Sequence, residues 1–294
     1  MRLRAASSGR DPHIFGGDTA NIMMRNDLCS HAESNGLNVF RWPALASLTG
    51  LVHGVFTRQG GVSRPPYDSL NTAFGNGDRP EAVARNLARI AAHTGLKTLA
   101  AVRQVHGDRV VVVDEAFLER WERRKHEGVS LILGPEADAL VTRLPRVGLL
   151  VRIADCQAVF LADPQRRVIA NVHSGWRGSV ANILGKTVAV LEERFQCRPE
   201  SLVAAVSPSL GPCCAEFRNF EGELPRSFWA FQVRPTYFDF WAISRRQLVE
   251  AGLRPQNIHL AQQCTACHPD LYFSYRRDKE TGRMGAVIAL TQEE

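Results

Sequence analysis

Three short stretches of this 294-residue chain combine metal-binding residue types with the backbone freedom to present them. They are Gln104-Val-His-Gly107, Ala154-Asp-Cys-Gln-Ala158 and Asn171-Val-His-Ser-Gly-Trp-Arg-Gly178. In each, a His or Cys stands at the end of a predicted strand, and Gly107 or Gly175 allows a sharp turn beside it. His106, Cys156 and His173 are too far apart in sequence for a zinc finger, but a sheet can gather such residues. Two imidazoles and a thiolate leave one position of a tetrahedral zinc open, which is the arrangement of a catalytic site. Taken singly, each residue has a plainer explanation: a cysteine after a strand is usually packing, and a lone histidine is usually a satisfied side chain.

Anion binding has its own candidates. His173-Ser-Gly-Trp-Arg177-Gly-Ser179 runs from a strand into a helix that Ser179 would cap, so free N–H groups and Arg177 would meet a phosphate there. Upstream, residues 56–71, FTRQGGVSRPPYDSLN, have the composition of a structured loop presenting Arg58 and Asn71. Gln104 and Asp155 adjoin the metal candidates.

The elements that must position these residues are short. Val110–Asp114, Ala139–Thr142, Val147–Ile153, Ala158–Ala162, Val168–Val172, Leu202–Val206 and Ala286–Leu290 are β-branched-rich runs bounded by Gly, Pro or Asp, and read as strands. Asp78-Arg-Pro-Glu81 places a cap and an early proline before a helix over 80–94, with Gly95 as its stop. Val180, Ile183, Leu184, Thr187, Val188 and Leu191 make one helical stripe, and a third helix is expected over Ser244–Ala251. Residues 1–36 read as a disordered extension and 37–294 as one mixed α+β domain.

Composition excludes several classes. The chain is 45% hydrophobic and 22% charged, as expected of a globular protein. Its most apolar region, 137–162, is interrupted by Arg143, Arg146, Arg152 and Asp155, so it does not span a membrane. Net charge is +6, which would suit a polyanionic partner, yet the basic residues are spread thinly and no nucleic-acid motif is recognisable, so small anionic substrates explain the excess at least as well. Seven cysteines without an export signal point to a reducing cytoplasm.

Two motifs mislead. Cys264-Thr-Ala-Cys267-His268 has the spacing of covalent haem attachment, which belongs to exported proteins. As half of a zinc site it needs a second pair, and adjacent Cys213-Cys214 has the wrong bite, so these cysteines are expected to be buried packing. His31-Ala-Glu33 with Cys264 and Cys267 imitates a zinc deaminase but lacks the proline and the spacing.

Taken together, FTRQGGVS (56–63), SLN (69–71), QVHGDRVVVVD (104–114), ADALVT (137–142), IADCQAVFLAD (153–163), HSGWRG (173–178), GPCC (211–214) and the closing CTACHPDLYFSYRRD (264–278) and ETGRMG (280–285) resemble the YfiH-type family. That family is described variously as laccase-domain polyphenol oxidases, multifunctional purine nucleoside phosphorylases and peptidoglycan editing factors. The resemblance runs in order from about residue 38 to 291. Where the family usually has Thr-Ala-Asp-Cys-x-Pro and His-Ala-Gly-Trp-Arg-Gly, this chain has Ile153, Ala158 and Ser174 at the variable places.

The resemblance implies one compact α+β domain with mixed sheets and flanking helices, and zinc held by His106, Cys156 and His173. It implies phosphorolysis of adenosine, inosine and methylthioadenosine to the base and a ribose 1-phosphate, with deamination of adenosine as a second reaction. Small nucleosides and phosphate would be the partners, Asp155 and Arg58 the catalytic groups, and Asn71, Gln104 and Arg177 the phosphate and substrate ligands. Copper can displace zinc at such ligands and give weak phenol oxidation. A multicopper laccase is a poor fit, because none of the nine histidines forms an HxH pair. Editing of a peptidoglycan precursor at the same site is the enzymatic alternative, and a binding protein with a vestigial site the non-enzymatic one.

Overall fold

Strands dominate because the apolar runs are short, β-branched and closely punctuated by turn residues. The computed structural model describes residues 30–34 and 36–292. Most of the expected disordered extension, 1–36, lies outside the described residues. Within it, Ser30–Ser34 pairs antiparallel with Leu37–Arg41, so the sheet begins before the expected boundary at residue 37.

The larger sheet has eight strands in the order Ser30–Ser34, Leu37–Arg41, Leu51–Phe56, Met284–Leu290, Val147–Ile153, Thr98–Arg103, Val129–Glu136, Glu122–His126. The smaller has six: Ile258–Leu260, Val203–Val206, Gln157–Asp163, Val168–Ser174, Ala139–Thr142, Val110–Val112. Both mix parallel and antiparallel pairs. The sheets pack face to face over a core containing Phe40, Val102, Leu149, Phe160 and Ile288. Asn171 donates across this core to the carbonyls of Leu149 and Ala286, tying one sheet to the other.

Each outer face is covered by a helix. Pro80–Thr94 buries Val83, Leu87 and Ile90 on the larger sheet. Ile183–Phe195 buries Leu184, Val188 and Leu191 on the smaller one. The result is a single compact α+β domain. Among the described residues no helix is long and apolar enough to cross a membrane.

The chain passes from the larger sheet to the smaller at 104–109, 137–138 and 154–156. These crossings bring His106, Asp138 and Cys156 together, and His173 joins them at the end of Val168–Ser174.

Several local expectations are corrected. The helix over 80–94 ends at Gly95 with φ 69°, as expected, but Arg79 is its N-cap residue. Asp78 instead accepts from Ser63 and Asn71. Ser179 caps no helix: a five-residue helix, Trp176–Val180, precedes the long one, which Asn182 caps through its side chain. The third helix spans Phe240–Glu250 because Asp239 caps it, accepting from the N–H groups of Trp241 and Ala242.

Candidate metal centre and substrate pocket

His106, Cys156 and His173 offer ligand atoms that all lie within 4.8 Å of one another. The two imidazoles meet edge to face, 4.9 Å between centroids. His106 is held in the left-handed backbone region at φ 60°, and Asp155, beside Cys156, at φ 88°. Such conformations cost on the order of 1–3 kcal/mol each and persist where surroundings over-determine them.

The over-determining group is Asp138, fully buried between the crossings. Its carboxylate accepts from the backbone N–H groups of Val105, His106 and Gly107 at 3.2, 3.0 and 2.7 Å. It also lies 2.7 Å from Nδ1 of His173, and its carbonyl accepts from the His173 N–H. Burial works against its charge, but His173 and these N–H donors hold Asp138 below the ordinary carboxylate range. With Nδ1 engaged, Nε2 of His173 is left for a metal. Burial likewise opposes the Cys156 thiolate, yet the charge and hydrogen bonds of His173 and His106 lower the thiol's pKa. Reciprocally, and against burial, Cys156 and Asp138 raise that of His173. Negative charge is thus already favoured at Cys156, and a His₂Cys set with one open side suits zinc or copper.

Gly175 makes the convergence possible. A Cβ there would lie 3.0 Å from both the Cys156 sulfur and His106 Cδ2.

The trio stands on the wall of a cavity of about 1060 Å³. Seven arginine and lysine side chains line it against two carboxylates, so it suits an anion. Arg103 pairs with Glu136 and Arg218 with Glu216. Half-buried Arg152 and Arg283 form no ion pair with a described residue, and burial and the charge of Arg283 lower the pKa of Arg152 to about 10. Trp176, Phe217 and Phe240 give the same cavity an aromatic side.

The sequence candidates separate into two groups. Gln104, Asp155 and Arg177 line the cavity with the metal trio. Gln104 exchanges two hydrogen bonds with the Arg152 backbone. Asp155 accepts from Thr265 at 2.7 Å and from the Arg276 N–H at 2.6 Å. Arg177 lies over the Trp176 ring and forms no ion pair with a described residue.

Arg58 and Asn71 are absent from the lining. Arg58 is committed to Asp68 and the Pro269 carbonyl and stacks on Phe273. Asn71 is fully buried and organises 71–78 while receiving the Arg283 N–H.

Sequence reasoning left out Asp138, Arg152 and Arg283 as site residues. The available signals were a carboxylate opening the apolar ADALVT run and a lone arginine inside the apolar strand Val147–Ile153. It also misjudged Cys213-Cys214: in three dimensions this pair meets Cys264 and Cys267 in a second cluster, and Cys213 and Cys267 are exposed. His268 lies outside that cluster, and its Nδ1 bonds the Cys264 carbonyl.

The model of the family described as multi-copper polyphenol oxidoreductase laccase matches residues 52–291. A purine nucleoside phosphorylase of Xylella fastidiosa strain 9a5c is 34% identical over 260 residues, covering 84% of this chain and 94% of that protein. Purine nucleoside phosphorylase YfiH of Escherichia coli K12 is 32% identical over 248 residues, covering 80% and 91%. The crystal structure of YlmD from Geobacillus stearothermophilus superposes with a TM-score of 0.77 at 27% identity, covering 90% of this chain and all of that one, 100%.

Proposed function

Because the chain belongs to the family described as multi-copper polyphenol oxidoreductase laccase, whose similar relatives are named purine nucleoside phosphorylase, we propose that it cleaves purine nucleosides with phosphate. The observation that carries this reading is the pairing, in one cavity, of the His106–Cys156–His173 set with the Arg152 and Arg283 guanidiniums, neither of which is in an ion pair with a described residue. A laccase needs a histidine-rich copper cluster besides its His₂Cys centre. Among the described residues the only other His/Cys/Asp/Glu group of metal-binding geometry is made of four cysteines.

In the proposed reaction a phosphate oxygen attacks C1′, the C1′–N9 bond breaks, and its electron pair leaves with the base, which takes up a proton. Arg152, Arg177 and Arg283 hold the phosphate as a charge-assisted partner. Trp176, Phe217 and Phe240 receive the flat purine. Orientation of the two reactants in one desolvated pocket supplies much of the rate. A zinc ion bound by the trio would add Lewis-acid polarisation of a substrate oxygen or nitrogen, or activate water.

The same site suits hydrolytic deamination of adenosine, in which water adds at C6 and ammonia leaves. Asp155 serves that reaction as the proton carrier. Each of its oxygens accepts one hydrogen bond and keeps a further lone pair. Arg58 and Asn71 act from behind the cavity by fixing the loops that carry its rim.

Chromatography of an adenosine incubation tests the reading. Adenine that forms only with phosphate supports it, while inosine without phosphate marks the deaminase. Adenine formed equally without phosphate contradicts phosphorolysis. In the Arg152→Met variant the KM for phosphate should rise about tenfold or more, with that for adenosine little changed.

A further inference from the structure

Outside the pocket just described, four free cysteines from two distant segments converge. Cys213, Cys214, Cys264 and Cys267 place their sulfurs within 4.8 Å of one another. Cys267 Sγ lies 3.5 Å from Cys213 Sγ and 3.5 Å from Cys214 Sγ. A tetrahedral zinc with Zn–S bonds of about 2.3 Å sets its sulfurs about 3.8 Å apart. A polynuclear iron–sulfur core, with sulfide between its irons, would spread them further.

We propose that these four thiolates bind a second, structural zinc ion, separate from the His₂Cys centre. On binding, each thiol that becomes a ligand gives its proton to solvent and a sulfur lone pair to the metal.

The backbone is arranged as such a site requires. Each cysteine pair sits on a turn: the Cys214 N–H donates to the Gly211 carbonyl, and the Cys267 N–H to that of Cys264. The turns are set side by side by an isolated parallel bridge, Ser209 to Cys264. Adjacent Cys213 and Cys214 therefore both reach Cys267, because the 211–214 turn brings their side chains to one side. The Gly211 N–H points at Cys264 Sγ at 3.3 Å, the kind of donor that steadies a metal-bound thiolate. Only glycine fits at 211, since a Cβ there would lie 2.7 Å from Trp241 and 3.0 Å from the Cys264 Cβ.

Charge agrees. Four thiolates around Zn²⁺ carry a net double negative charge, and three guanidiniums grip the two turns by their carbonyls. Arg234 donates to Cys213, Arg276 to Cys214, and Arg277 to Thr265 and Ala266.

The location gives the metal a task. Residues 215–218 follow the first turn into the cavity wall, and Thr265, inside the second, holds Asp155. Zinc here would staple one wall of the pocket to the segment that fixes Asp155.

The test uses the full chain purified under reducing conditions. Wild type should contain about two zinc ions per chain, and the Cys213→Ser/Cys267→Ser variant about one. A Cys156→Ala chain keeps all four cysteines of the second site and loses the only thiolate of the first. Loaded with cobalt, it should show the intense near-ultraviolet sulfur-to-cobalt charge transfer of four thiolates. Absence of that band, zinc unchanged by the double substitution, or cysteines joined as disulfides in the reduced preparation would each overturn the proposal.

Discussion

Asp138 decides the geometry at the scale of single residues. One carboxylate satisfies three backbone donors around His106 and the ring of His173, so two of the three proposed ligands depend on it. Asp138→Asn keeps the size and one acceptor oxygen but removes the charge and places an N–H donor where an acceptor is needed. Metal affinity should fall about 10–100-fold, measured by competition against a chromophoric chelator, with circular dichroism unchanged. The three candidate ligands could be picked out in the sequence because each stood at a strand end in an unusual context. Asp138 was not, since an aspartate before an apolar run reads as a strand boundary until its partners are seen. Arg152 was hidden by the same logic, as a lone charge that interrupts an apolar stretch.

Elements bring these residues together through their ends rather than their interiors. Three crossings between the sheets form the floor of the site, and the turn at Gly175 closes it against His106 and Cys156. Gly175→Ala would press a methyl group against the ligand sulfur and ring. We expect weakened metal binding and activity with the melting temperature of the metal-free protein little changed; equal zinc content and kcat/KM would contradict this role. The sequence disclosed the strands of the centre, from Ala139 to Val172, nearly to the residue, because these apolar runs are short, rich in β-branched residues and bounded by turn residues, which separates them from a buried helix. Among the strands it missed are Glu122–His126 and Thr98–Arg103. The first is a charged outermost strand with no apolar face to announce it, and the second sits between two neighbours that only the fold supplies. The phosphate role given to the Ser179 helix also changed, since the five-residue helix separates the long helix from the pocket turn.

On the scale of the whole molecule, the two sheets share a core that includes an ionisable group. His53 is 2% exposed, accepts from the Trp42 N–H and packs edge-on against Phe160. Burial first, and then the charge of Arg41, lowers its pKa from 6.5 to about 3. The unfolded chain therefore binds a proton at pH values where the folded chain does not. Stability is full above pH 6.5 and declines as pH falls toward 3, by on the order of 5 kcal/mol. His53→Gln, which keeps an acceptor and cannot titrate, should flatten that decline in thermal melts across this range; parallel slopes would remove His53 as its cause. In the proposed reaction the cavity transfers the sugar of a purine nucleoside to phosphate and releases the base at a His₂Cys metal centre. Phosphorus NMR of adenosine, phosphate and the zinc-loaded protein tests it most directly. The prediction is a sugar 1-phosphate resonance growing in step with free adenine and absent with His106→Ala. Adenine released alongside free ribose, or a sugar phosphate undiminished by His106→Ala, would contradict it.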